Sequence, residues 1–357
     1  MPGEDARRLW IRQETRQTER RAPVVPDDAR RLVDSGFVVT VEESARRAFP
    51  TADYAAAGCR IVPAGSWATA GLDEIVLGLK ELPNLPGALG HRHVYFGHAY
   101  KGQEGARELL RRFAAGGGQL LDIECLVDDE GRRLAAFGHW AGYVGAALAV
   151  QRFRGRLTVP LRPSSKEVLD AQLRPRSGDP QPRVLVIGAF GRCGRGARAA
   201  LGVAGITPTC WDLPETHNLN RAALLDHDIL INTVLTNTPV PPFLDHNALD
   251  APGRRLTLIC DVTCDVTSPT NVLPIYQRTT TWPEPVLRLR DGAAPLDIVA
   301  IDNLPSLLPK EASVAFSAEL TPQLMLLGGP APVWQRSLRA FQDACRAAGI
   351  HREYADV

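Results

Sequence analysis

The stretch VLVIGAFGRCG, Val184–Gly194, decides the fold. Its opening run of Val, Leu and Ile is short and apolar throughout, as in a strand buried on both faces of a sheet. Gly188, Gly191 and Gly194 come next at G-x-x-G-x-x-G spacing, and helix-period sequence begins at Arg195. Glycines permit the tight turn and let backbone approach a pyrophosphate, while a helix start supplies N–H donors and the positive end of a dipole. Asp212 ends the next apolar run, where an acid accepts hydrogen bonds from ribose hydroxyls and repels a 2′-phosphate, so NAD is favoured over NADP. By themselves these residues also fit a structural turn and a loop cap. Gly196 is expected to let the helix lie close to the sheet.

Outward from this turn, strands and helices alternate. Thr209–Asp212, Ile229–Val234, Leu256–Val262 and Leu296–Ile301 read as strands, with helices at Arg195–Ala204 and Arg221–Leu225, which predicts a parallel, doubly wound sheet. Upstream, Leu9–Arg12, Phe37–Val41, Ile75–Leu79, His93–Phe96 and Gln119–Ile123 read as strands. Helices fall at Asp27–Ser35, from Thr51, and at Glu104–Ala115, with Asp27 and Thr51 placed as caps. Prolines 160, 163, 175, 180 and 182 break up residues 151–183, which read as a connector without an element of its own. The small-residue run Ala141–Val150 is expected to be a tightly packed helix and inter-domain hinge, and Pro332–Ala348 an amphipathic helix returning to the first domain. The expected fold is α/β: two Rossmann-like domains with parallel sheets flanked by helices and an active-site cleft between them. Residues 1–138 with 320–357 are expected to form a substrate and catalytic domain, and residues 139–319 a dinucleotide domain.

Composition narrows the function classes. Among 357 residues, 41 basic and 40 acidic side chains nearly cancel, which removes the field that would draw a nucleic acid. No apolar run approaches the roughly 20 residues of a membrane span, and the polar start Met1–Arg8 lacks a signal-peptide core, so a cytoplasmic location without a membrane partner is expected. The seven cysteines are scattered and read as reduced core residues. Cys260 and Cys264 have no companion pair to close a zinc site, and no metal is expected. Both monomer and homo-oligomer remain open.

Groups able to do chemistry gather after apolar runs, where α/β proteins build sites. Lys80 comes after one and His98 after another, and a Lys and a His so placed suit general acid–base work as well as plain surface polarity. Arg12, Arg16, Arg20, Arg21, Arg132 and Arg133 offer planar forks for the carboxylates of an amino-acid-derived substrate. Glu124 lies in the apolar LLDIECL run, so a cationic partner is expected for it. His91 and His93 lack a third ligand and read as loop residues. Thr263 and Asp265, and later Ile301, Asp302 and Leu304, sit after apolar runs of the second half.

Seven segments then match in order along nearly the whole chain: RQETR (Arg12–Arg16) through Glu19–Arg21, VPAGSW (Val62–Trp67), GLKE (Gly78–Glu81), HAYKGQ (His98–Gln103), GRRLAAFG (Gly131–Gly138), GAFGRCG (Gly188–Gly194) and IDNLPSLLP (Ile301–Pro309). With them the chain resembles the fungal-type, NAD-dependent, lysine-forming saccharopine dehydrogenases, related to alanine dehydrogenase and transhydrogenase. The resemblance implies Lys80 and His98 as the acid–base pair, and Arg21, Gln103, Arg133 and Phe137 at the substrate, to which Glu124 of the apolar run and the strand-end residues Thr263 and Asp265 are added as candidates. It also implies Gly191, Arg192, Arg132, Asp212, Thr216, Val262 and the stretch Ile301, Asp302, Asn303 and Leu304 at NAD, beside Gly188 and Gly194 of the glycine turn. The implied reaction is oxidation of a lysine-derived secondary amine to an imine, then hydrolysis. A different lysine conjugate, or NAD binding without catalysis, are the other readings. The chain departs from the fungal pattern at Arg16, where those enzymes carry Lys, at Asn303, where they carry His, and at Thr233, which replaces a cysteine able to pair with Cys193.

Overall fold

Short apolar runs between polar turns become parallel strands whose side chains are covered on both faces. A computed structural model describes residues 7–100, 103, 105–236 and 238–350. In its first part, β1 (Arg8–Ile11), β2 (Val38–Glu42), β3 (Arg60–Val62), β4 (Ile75–Leu77), β5 (Arg92–Tyr95) and β6 (Gln119–Asp122) form one sheet in the order β3-β2-β1-β4-β5-β6. Every neighbouring pair is parallel. Helices α1 (Pro26–Asp34), α2 (Thr51–Ala56) and α3 (Ala106–Gly116) connect the strands. The order reverses beside β1, so the loops after β1 and β4 part from one another and leave a crevice at the carboxyl edge.

The structure corrects three expectations. Asp27 and Thr51 lie inside the first turns of α1 and α2; the N-caps are Val25 and Pro50, without a side-chain cap bond. Strand β3 has no counterpart in the sequence pattern because it is brief and carries an exposed Arg60. His91 and His93 are buried residues at and within β5, not loop residues. His93 packs edge-on to Trp67 and Phe113, with ring centroids 5.2 and 5.4 Å away.

The second part begins with α4 (Gly138–Phe153) and α5 (Lys166–Leu173). Helix α5 corrects the expectation of a structureless connector. Ser165 caps it by accepting from Val168 N, and Lys166 pairs with Asp170 one turn on, while Pro163 and Pro175 lie outside it. Then come β7 (Val184–Ile187), α6 (Arg192–Val203), β8 (Thr209–Trp211), α7 (Leu213–His217), α8 (Arg221–Leu225), β9 (Ile229–Asn232), α9 (His246–Leu249), β10 (Leu258–Asp261), β11 (Leu287–Arg290) and β12 (Leu296–Val299). The sheet order is β11-β12-β10-β9-β7-β8, parallel except for the antiparallel edge strand β11. Its reversal falls beside β7. Helix α4 crosses α6 at glycines: a Cβ on Gly142 would lie 1.8 Å from the Cys193 carbonyl oxygen, and one on Gly196 1.8 Å from that of His139. Gly196 thus serves the contact between α6 and α4, not the approach to the sheet expected from sequence.

The chain divides into two units, Met1–Ala136 with Ala312–Val357, and Phe137–Glu311. The return falls within α10 (Pro309–Leu324), ahead of the expected position 320. In the first unit, Ser313 Oγ and Ser317 Oγ of α10 accept from the backbone N–H groups of Ala22 and Val25. Helix α11 (Pro332–Ala347) packs along β6: Ser337 Oγ donates to Asp122 O at 3.1 Å, and Phe341 meets Phe113 edge-on. No helix of the described residues is long and apolar enough to cross a membrane.

This packing makes two changes in stability measurable. Gly142→Ala forces α4 off α6 and should destabilise the protein by about 3 kcal/mol in denaturant unfolding; a loss below about 0.5 kcal/mol refutes the close contact. Neither ring nitrogen of His93 has a hydrogen-bond partner among the described residues, and burial, with Arg12, His91 and Arg112 adding to it, holds its pKa well below 6.5. The unfolded chain therefore takes up a proton that the native state does not as pH falls through about 6.5, and stability is lost on the acid side. The melting temperature of His93→Phe should fall less between pH 7.5 and 5.5 than that of the parent, and equal slopes would contradict the assignment.

Candidate active site

Lys80 stands just beyond β4, at the crevice of the first sheet, and its backbone is held on both sides by the loop after β1. Glu14 accepts Leu79 N at 2.7 Å and Lys80 N at 3.0 Å, while Arg12 Nη2 donates to the Lys80 carbonyl. Arg12 is 1% exposed and Glu14 8%. The two pair at 3.3 Å, and the Arg12 guanidinium occupies the space a Cβ on Gly78 would need, 2.3 Å from that position. Burial pushes the Glu14 carboxyl up, against the opposing pull of Arg12 and the two N–H donors. Next along, Glu81 pairs with Arg16 at 2.9 Å; burial raises its pKa, but the Arg16 hydrogen bond, a backbone N–H and the charges of Arg16 and Lys80 together outweigh that and the net shift is downward.

His98 comes after β5, the strand beside β4. It is exposed, with φ of +48°, and its ring stacks on Phe96 with centroids 6.4 Å apart. The turn that carries it is tied to β6, where Asp122 Oδ2 accepts Gly97 N at 3.1 Å and Oδ1 accepts Glu124 N at 2.8 Å. His98, Phe96, Gln103, Glu81 and Arg112 line an open cavity of about 620 Å³. Glu124 has the cationic partner expected for it, Arg133 at 2.9 Å, but it sits in a short 3-10 turn (Ile123–Cys125) and not in the strand. Arg21 is 5% exposed and forked onto Glu19, through Nε at 2.8 Å and Nη2 at 2.6 Å. Arg132, expected at the dinucleotide, belongs to this first unit, is exposed, and bonds Asp128 and Glu130. Lys101 and Gly102 of the HAYKGQ segment lie outside the described residues, as does Glu104, where α3 was expected to begin.

In the second unit the glycine turn comes directly after β7. Gly188 has φ of +76°, and a Cβ on Gly194 would lie 2.2 Å from Gly188 O, so side chains at either position are excluded. Gly191 caps α6, which starts at Arg192, earlier than expected, so the positive end of its dipole lies at the turn. Asp212 ends the β8 segment beside it. Its Oδ2 accepts Phe190 N at 3.2 Å and its Oδ1 accepts Leu213 N at 2.9 Å, so the loop-cap reading holds while the carboxylate also touches the glycine turn. Thr216 Oγ donates back to Asp212 O. Thr233 donates to Ile187 O and Gly188 O, bracing the turn from β9.

After β10, Val262 N bonds Asn232 O, and Thr263 Oγ bonds Val234 O. Asp265 accepts Ser268 N through its backbone carbonyl. Phe137, Thr263 and Asp265, expected at the substrate, belong to this unit. Ile301 and Leu304 are 3% and 1% exposed, so their side chains serve the core and backbone is what they offer a ligand; Asp302 is exposed. Among the described residues no three His, Cys, Asp or Glu side chains converge to hold a metal ion.

Sequence reasoning counts Arg12 among forks for a substrate carboxylate, whereas it is buried against Glu14 and the Lys80 carbonyl; it gives Glu14 no role and passes over Asp122. The available signal is charge directly at the end of an apolar run, where backbone N–H groups of neighbouring loops need acceptors. Burial, added to by Glu124 and opposed by two N–H donors and Arg133, pushes the Asp122 carboxyl up to about 7. Between roughly 3.9 and 7 the native state keeps a proton that the unfolded chain has lost, so stability falls as pH rises through that window. Asp122→Asn cannot ionise. Its unfolding free energy relative to the parent should move in its favour from pH 5 to pH 8 by on the order of a few kcal/mol, and a pH-independent difference would show that Asp122 is ionised throughout.

Residues 10–144 match the model of the alanine dehydrogenase/PNT N-terminal domain family. The chain is 39% identical to the saccharopine dehydrogenase (NAD+, L-lysine-forming) of Schizosaccharomyces pombe, over 94% of this chain and 97% of that protein. It is 41% identical to the enzyme of the same name from Emericella nidulans, over 94% and 96%. Among solved structures, an L-alanine dehydrogenase superposes with a TM-score of 0.66 at 18% identity, covering 94% of each chain. A transhydrogenase from Sinorhizobium meliloti does so with 0.64 at 16%, covering 89% of this chain and 94% of that one. Those two share the fold. With a strand order that reverses beside β1 and β7, and at about 40% identity across nearly its full length, the chain belongs to the NAD+-dependent, L-lysine-forming saccharopine dehydrogenase family.

Proposed function

We propose that this protein is an NAD-dependent dehydrogenase of a lysine-derived secondary amine, with saccharopine as its substrate. One observation carries the reading: in a chain about 40% identical to such enzymes, Lys80 and His98 occupy the ends of two adjacent parallel strands, beside the point where the sheet order reverses. The dinucleotide is held by the Gly188–Gly194 turn, the start of α6 and Asp212. Gly188 and Gly194 have no room for a Cβ, which fits a turn that brings backbone against a pyrophosphate. NAD bound by these residues would supply the acceptor for the hydride that leaves the carbon bearing the secondary amine.

Lys80 takes the proton released by the amine nitrogen as the C=N bond forms. Water adds to the imine carbon, and His98 passes a proton to the departing nitrogen as the adduct collapses to lysine and a 2-oxo acid. Arg21, Arg133 and Gln103 bind the substrate's carboxylates, and the buried Glu19–Arg21 fork holds one guanidinium in a fixed plane. Glu124 orients Arg133 from the other side. Arg192, Thr216, Val262, Ile301, Asp302 and Leu304 complete the dinucleotide contacts within the second unit. A cytoplasmic location accords with this role.

The test monitors NADH absorbance with saccharopine and NAD+, and in reverse with lysine, 2-oxoglutarate and NADH. Turnover is expected with saccharopine. Turnover only with a different secondary amine of lysine transfers the reading to that conjugate, and NAD binding without turnover of any of them overturns it. Lys80→Met and His98→Gln should each lower kcat by about 100- to 10,000-fold; parental turnover in the double variant refutes both roles.

A further inference from the structure

We propose that the buried Arg12–Glu14 pair is a positioning device that fixes the backbone of Lys80, so that its ammonium stem leaves the sheet edge in one direction. This rests on the reading of Lys80 as the acid–base group. Both polar atoms of the Lys80 main chain are committed to the pair, its N–H to Glu14 and its carbonyl to Arg12, and the preceding N–H of Leu79 takes the other Glu14 oxygen. Arg12 N also continues the parallel ladder by donating to Leu77 O at 3.0 Å, so the pair and the turn it holds are anchored to the same two strands.

The chemistry of the pair argues against a role in stability alone. A buried ion pair repays its desolvation poorly, and apolar residues of similar volume often do as well or better. What apolar residues cannot do is accept two adjacent N–H groups and donate to the carbonyl between strands. A carboxylate has lone pairs for both donors, and a guanidinium has a planar fork whose direction is set by its own neighbours. The seat is built for this fork: Gly78 leaves the volume that the guanidinium fills, and the Tyr95 ring lies 5.7 Å from the Arg12 Cζ. Glu14 and Arg12 act through Lys80, and neither is assigned a bond to the substrate.

The experiment is a double-mutant cycle in the full-length protein, with NADH formation from saccharopine as the readout and circular dichroism as the check on folding. Glu14→Gln should lower kcat by about 10- to 100-fold, the scale of a misplaced catalytic group, while KM changes less than about threefold. Arg12→Lys keeps the charge that neutralises Glu14 but loses the fork, and should show the same split even if Glu14→Gln folds poorly. In the Lys80→Met background either substitution should have no further effect, within about twofold. Factors that multiply with that of Lys80→Met would mark the pair as structural and overturn the proposal, as would parental kcat in both single variants. Parental turnover by Lys80→Met alone overturns the reading of Lys80 itself, and the positioning role with it.

Discussion

All strands of a parallel sheet end on one edge, and where their order reverses the loops above that edge part. This constraint governs both sheets. The first places the loops after β1 and β4 at its reversal, and these are the RQE and GLK segments. The second places the glycine turn after β7 opposite Thr233 after β9. Residues far apart in sequence thus become neighbours through topology, and the groups given a chemical role in each unit stand on or beside those edges.

A loop leaving a buried edge carries backbone N–H groups that water does not reach, and each needs an acceptor. The chain answers with a carboxylate at Glu42, the last residue of β2, which holds Gln13, Gly65 and Trp67, and does so again at three further residues. Glu14 holds Leu79 and Lys80, Asp122 holds Gly97 and Glu124, and Asp261 at the end of β10 holds Thr263 and Cys264 as well as the Asn232 amide and the Tyr276 hydroxyl. Burial pushes the Glu14, Asp122 and Asp261 carboxyls up. The recurring cost is offset because one carboxylate accepts several donors at once, which no neutral side chain of that size matches.

Most sheet strands of both units are legible in the sequence because a run such as VLVI admits few other fates, and the glycine spacing marks the turn and helix start beyond it. The elements that escape such reading lack that signal. Strand β11 alternates Leu and Arg in LRLR, as an antiparallel edge does, and α5 is hidden among prolines that in fact flank it. In the site, the position of Lys80 and His98 after apolar runs is legible while their roles come from the family resemblance, and the Arg12–Glu14 clamp is not legible at all. Glu14 and Lys80 are 66 positions apart and meet only because β1 and β4 are neighbours. Glu124 draws notice within the apolar LLDIECL run and Asp122, in the same run, does not; the chain turns at Ile123, and the last strand position, with the loop N–H groups around it, falls to Asp122.

At each of the three positions where the chain departs from the fungal pattern, the side chain is engaged by its own neighbours. Arg16 sets a planar guanidinium beside Glu81, and its hydrogen bond and charge contribute to the net downward shift there. Asn303 is 4% exposed and donates to Ser306 Oγ at 3.0 Å, so its amide has been drawn into the turn that opens Leu304–Leu307 and brings no proton of its own to the reaction. Thr233 fills the position of a cysteine with two hydrogen bonds to the glycine turn, at 2.8 and 3.0 Å, and Cys193 is in no disulfide among the described residues. Where a covalent link would make the shape of that turn depend on oxidation, these bonds hold it in place with no redox state to answer to.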